Sequence, residues 1–168
     1  MSTTFDSAAR QPLRAQRIVL LAVLVTLALA SADLLFACTF WFSLYHVPPV
    51  RLMQNIAAGL LGKRAFLGGA GTAALGALLH YAIMGAMVSV YVLASRRSRA
   101  LVERPWRYGS LYGLVLFVVM NLIVVPLSAA PKAPVVPSWI VSSVVVHVVI
   151  GLVIALGARW AMRPVPQA

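Results

Sequence analysis

Four strongly polar side chains, Asp33, His80, Asn121 and His147, each stand inside a long apolar run. A carboxyl, a carboxamide and two imidazoles at membrane depth could do several kinds of chemistry. They can hydrogen-bond across helices and fix how those helices register. A carboxyl beside an imidazole can also exchange protons as a coupled pair, which is what a proton-driven carrier needs. Two histidines at one depth can be axial ligands of a b-type haem. His80 and His147 would then be the ligands, and Gly76 and Gly151, each four residues from a histidine, would make room for the ring. A metal held by Asp33, His80 and His147 is the weakest of these ideas, because outer partners for the ligands are lacking. The plainest role is structural, with no catalytic residue, no metal and no resident cofactor.

These residues must be positioned by the runs that carry them, roughly Ile18–Phe42, Gly71–Ser95, Tyr108–Ser128 and Ser138–Ala161. About 20 consecutive apolar residues cross a bilayer as a helix. Composition agrees: 62% of the 168 residues are hydrophobic and only 10% are charged. Mean hydropathy is +0.94. A soluble domain would be about one-quarter charged. The predicted fold is an all-α integral membrane four-helix bundle with one interfacial amphipathic helix. The domain plan is an N-terminal tail over 1–17, a transmembrane domain over 18–161 and a C-terminal tail over 162–168, with both tails cytoplasmic.

The first ten or so residues are polar, and they are expected to lack order. The first span carries a second reading. Its basic lead and the triplet Ala30-Ser31-Ala32 resemble a signal peptide with its cleavage site. Leu34–Phe42 continues the apolar run, however, giving about 37 Å of helix. An uncleaved span is the expectation. Pro48 and Pro49 suit a helix start. From about residue 50 to 66, Leu52, Met53, Ile56, Leu60 and Leu61 follow helical spacing, with Arg51, Gln54 and Asn55 largely off that stripe. This segment reads as an amphipathic helix lying on the outer membrane surface. Gly68, Gly69 and Gly71 then break it.

Charge sets the orientation. Arg10, Arg14, Arg17, Arg96, Arg97, Arg99, Arg104, Arg107, Arg159 and Arg163 would lie on one side, which is ten of the 14 basic residues. Arg51, Lys63, Arg64 and Lys132 would lie on the other. Basic residues are retained on the inside, so both termini are expected in the cytoplasm. Trp41, Tyr45, Trp106, Tyr108, Trp139 and Trp160 stand near span ends, as interfacial aromatics do.

Counted from the outer end of each span, the four polar residues fall in one layer about 10–14 Å deep. Each histidine, and Asp33, sits on a face of small residues: Thr26, Ala30, Asp33 and Ala37 in the first span; Ala73, Gly76, Ala77 and His80 in the second, with Gly85 close by; Ser143, His147, Gly151 and Ala155 in the fourth. Residues three or four apart share a helix face, and small ones let helices approach closely. These faces should look into the bundle. Asp33 followed by His80, and Asn121 followed by His147, also form an internal echo between the two hairpins.

The formal net charge of +11 and pI near 11.4 would raise nucleic acid as a partner in a soluble protein. Here the basic residues gather at span ends, where lipid and topology account for them, so no nucleic acid is expected. Arg96, Arg97, Arg99, Arg104 and Arg107 are the candidates for contact with anionic head groups. The partners are therefore the bilayer and its head groups, and the sequence also permits a homo-oligomer. The single cysteine, Cys38, excludes an internal disulfide and reads as a small packing residue. No G-x-S-x-G, H-E-x-x-H or P-loop occurs, and no enzymatic activity is expected.

The segment His46-Val47-Pro48-Pro49-Val50-Arg51, the run Ala57-Ala58-Gly59-Leu60-Leu61-Gly62 and the glycines after it resemble uncharacterised bacterial four-span inner-membrane proteins. Asn121, Val125-Pro126-Leu127-Ser128, the proline-rich turn that follows and His147 resemble them too. The later part is distantly similar to the YagU-like inner-membrane proteins. This resemblance implies a bacterial inner-membrane location and no particular activity, and it assigns no site residues.

Overall fold

The computed structural model describes residues 3–131 and 135–163, with side chains from residue 15 onward. Every regular element among the described residues is helical, and no strand occurs there. Helix α1 runs from Thr3 to Tyr45. Its polar lead, expected to lack order, instead continues the helix back to Thr3. Ala8, Ala9, Leu13, Ala15 and Gln16 are good helix formers. Extending an existing helix also needs no new nucleus. Met1, Ser2 and the C-terminal residues 164–168 lie outside the described residues, as does Lys132.

Helix α1 stops at His46, which takes a left-handed φ of 53°. Pro48 and Pro49 then open α2, Pro49–Leu61, where a missing N–H costs nothing. A 3-10 segment, Gly62–Leu67, leads to α3, Gly69–Arg97. The short α4, Arg99–Glu103, connects to α5, Pro105–Val119. A π turn over Met120–Val124 passes into α6, Val125–Leu127. Helix α7 covers Pro137–Met162. The π turn has a covalent cause: the Pro126 ring would press on the carbonyl of Leu122 in a regular helix, and widening the turn relieves that clash.

Four segments are long and apolar enough to cross a membrane: Ala15–Tyr45, Gly69–Arg97, Pro105–Leu127 and Pro137–Met162. Each expected span is present, a little longer than expected at most of its ends. The shared core joins Leu29 of α1, Met84 and Val88 of α3, Leu116 of α5, and Ile150 and Ile154 of α7. The opposite faces leave Val19, Leu35, Leu78, Leu93, Leu122 and Val141 largely exposed. An apolar core inside an apolar exterior is the pattern of a bundle whose surroundings are not water.

The most extensive contact is between α5 and α7. Gly109, Gly113 and Gly151 let the two backbones touch. A Cβ on Gly113 would run into the His147 carbonyl, and one on Gly151 would meet the Gly109 carbonyl. Helix α1 lies against both α3 and α7, while α2 folds back on α3. Gln54, Ala57 and Ala58 form the buried face of α2. Gln54 was expected largely off the apolar stripe, but its Nε2 donates to the Gly69 carbonyl at 3.0 Å. The stripe residues Leu60 and Leu61 are the exposed ones. Small residues, rather than leucines, make the protein contact, because backbones approach most closely there.

Candidate functional site

Asp33 and His80 meet across the α1–α3 contact. His80 Nε2 lies 3.7 Å from Asp33 Oδ2, the two side chains being 16% and 24% exposed respectively. The same Nε2 lies 3.0 Å from the Ala30 carbonyl oxygen. A carbonyl can only accept, so Nε2 carries a hydrogen and donates it to Ala30. Its distance to the carboxylate is beyond hydrogen-bond length. The contact with Asp33 is therefore Coulombic. One residue away along each helix, Ser31 Oγ and the Tyr81 hydroxyl hydrogen-bond at 2.6 Å. Below them Gly85 faces the methyl group of Thr26 at ordinary contact distance. Ala30, Asp33 and Thr26 follow from α-helical spacing, and Tyr81 follows from its neighbour His80.

His147 bonds within its own helix. Its Nδ1–H donates to the Ser143 carbonyl at 2.7 Å. Its ring meets the edge of Phe117 at a centroid distance of 5.7 Å. Asn121 turns back on its own helix as well, its Nδ2 donating to the Phe117 carbonyl at 3.0 Å. It sits in the π turn, where the regular ladder is already interrupted. The expected layer thus divides. Asp33 and His80 approach each other, His147 is bonded to Ser143 of its own helix, and Asn121 shares no hydrogen bond with any of the three among the described residues. The echo between hairpins has no counterpart in these contacts.

The haem alternative meets a steric obstacle. The space beside Gly76 is filled by the Met53 carbonyl and the α2 backbone, and the space beside Gly151 by α5. Neither glycine leaves room for a porphyrin. No group of three His, Cys, Asp or Glu residues among the described residues converges to hold a metal.

The five arginines form a second cluster at the other end of the bundle. Arg96 and Arg97 close α3, Arg99 lies in α4, and Arg104 and Arg107 flank the start of α5. All five are exposed. At that end the Arg17 guanidinium lies over the Trp160 ring, 5.1 Å from its centre. At the opposite end Phe36, Phe40, Trp41, Tyr45 and Trp139 gather where α1 meets the start of α7, with Phe40 and Trp139 5.0 Å apart.

Several functional contacts escaped sequence reasoning. Gly109-x-x-x-Gly113 is a small-residue motif that could have marked the α5–α7 contact. The rings of Tyr91 and Tyr112 meet at a tilt, 5.0 Å between centres. Their hydroxyls donate to the Leu101 carbonyl at 3.1 Å and the Met87 carbonyl at 2.7 Å. No one-dimensional pattern announces that pair. Four helices among the described residues are long and apolar enough to cross a membrane, which is the pattern of a multi-pass membrane protein. Compared with known proteins, the chain matches no family model, no curated protein and no solved structure.

Proposed function

We propose that this is a bacterial inner-membrane protein of four spans with a non-enzymatic, structural or accessory role. Both termini face the cytoplasm, and α2 lies on the outer surface with Leu60, Leu61 and Leu67 toward lipid. The resemblance to four-span inner-membrane proteins and the distribution of arginines support this placement. The burial of Ala30 at the centre of the bundle supports an uncleaved first span, because cleavage after Ala32 would remove it. One observation carries the structural role: His80, His147 and Asn121 each bond a main-chain carbonyl. The His80 bond ties α3 to α1, while those of His147 and Asn121 fix their side chains against their own helices.

A second reading has its own support. The 3.7 Å approach of His80 to Asp33 is a proton-exchanging pair suited to a proton-coupled carrier of small solutes. Asp33→Asn separates the two readings. The structural role predicts a loss of about 1 kcal/mol of stability in detergent, with the same phenotype at every pH. Loss of proton-driven uptake in reconstituted vesicles, with the melting temperature unchanged, would establish the carrier instead.

A further inference from the structure

Helices α3 and α5 leave a cleft of about 250 Å³ between them. Tyr91 and Ala94 of α3, Leu101 of α4, and Tyr108, Tyr112 and Val115 of α5 line it. The walls are apolar, since the Tyr91 and Tyr112 hydroxyls are both committed to main-chain carbonyls. From Tyr108 to Val115 the cleft follows α5 for roughly 10 Å. That is an apolar slot open along its outer side, where Val90, Leu111 and Val115 are exposed.

The mouth of the slot is basic. Leu101 stands between Arg99 and Arg104, and Tyr108 adjoins Arg107. Arg96 and Arg97 lie one turn or less beyond Ala94. Among the described residues none of these arginines forms a salt bridge. One turn beyond Tyr91, on the same side of α3, Ser95 keeps a buried hydroxyl with no hydrogen-bond partner. An apolar slot beside five exposed guanidinium groups, against the single carboxylate of Glu103, matches one kind of molecule: a long hydrocarbon chain carrying an anionic head.

We propose that this cleft is a binding site for one anionic phospholipid of the cytoplasmic leaflet. An acyl chain fills the slot, and the phosphate engages Arg99, Arg104 and Arg107. Guanidinium groups suit phosphate because their N–H donors form parallel pairs of hydrogen bonds. The inference rests on the membrane placement proposed above, but it is tested separately from it. A protein that leaves the membrane without detergent would defeat the placement. The lipid assay below uses only protein that detergent extracts.

The test is native mass spectrometry of the detergent-extracted protein mixed with phosphatidylglycerol or phosphatidylcholine. The expected result is one retained phosphatidylglycerol per chain, at least fivefold in excess of retained phosphatidylcholine. R104Q with R107Q removes that preference, and the Lys pair at the same positions restores part of it. A94W, which fills the slot and leaves every arginine in place, abolishes retention. K63Q with R64Q, at the opposite end, changes nothing. Equal retention of the two lipids overturns the site, as does a preference that survives both R104Q/R107Q and A94W. A dimer that forms in place of lipid binding and is lost in A94W would make the cleft an interface between copies.

Discussion

Helices α5 and α7 adhere mainly through main chain meeting main chain at glycines, whereas α1 and α3 adhere through the polar side chains they carry. At the first contact Gly109, Gly113 and Gly151 bring main chain against main chain. At the second, His80 reaches Ala30 and Asp33, and Tyr81 reaches Ser31. The reason for both devices is the same. Lipid is as apolar as leucine, so burying leucine between helices gains little. Close backbone approach gains dispersion over a long contact, and polar pairs gain hydrogen bonds that lipid cannot supply. The two devices differ in tolerance. A backbone contact fails when anything is added, while a polar contact weakens when one atom is removed.

The sharpest way to test this contrast is to add atoms where there is no room. Gly113→Leu should cost about 3 kcal/mol or more, because the His147 carbonyl is backbone and cannot swing aside. Little folded protein should be recovered in detergent, and near-normal yield would show that α5 and α7 can part freely. Gly76→Ala is a smaller intrusion, against the Met53 carbonyl of α2. It should cost about 2 kcal/mol in thermal unfolding, with faster proteolysis of α2 while the spans stay protected. Tyr81→Phe removes one hydrogen bond, to Ser31. It should cost about 0.6 kcal/mol, typical for polar contacts between membrane helices. Gly85→Ala serves as the reference: Thr26 lies 3.5 Å from the added carbon, so the melting temperature should not move. A larger loss from Tyr81→Phe than from Gly113→Leu would reverse the comparison.

The spans were legible because hydropathy is additive along the chain and needs no partner. The small faces of α1, α3 and α7 were legible for the same reason, through helical spacing. Which helix each face meets was not. Ala73 and Gly76 share a face with His80, yet Gly76 packs on α2 while His80 reaches α1. Only the crossing geometry decides where along one face the neighbour changes. Asn121 reads as a member of the polar layer by depth alone. Its amide instead satisfies a carbonyl of its own helix, beside the turn that Pro126 widens. The cleft between α3 and α5 is a space between two helices, and no residue type in either helix encodes it alone.

The clasp between Gly59 and Ala129 bears on the order of assembly. The Ala129 N–H donates to the Gly59 carbonyl at 2.9 Å, and Ser128 rests against Gly59. Synthesis yields α2 early, but the partner that completes its seat arrives only after the third span has been made. Until then α2 is seated on α3, with a smaller contact to α1. A chain arrested before Ala129 lacks the donor of that bond, and its α2 should be cut by protease faster than in the full chain.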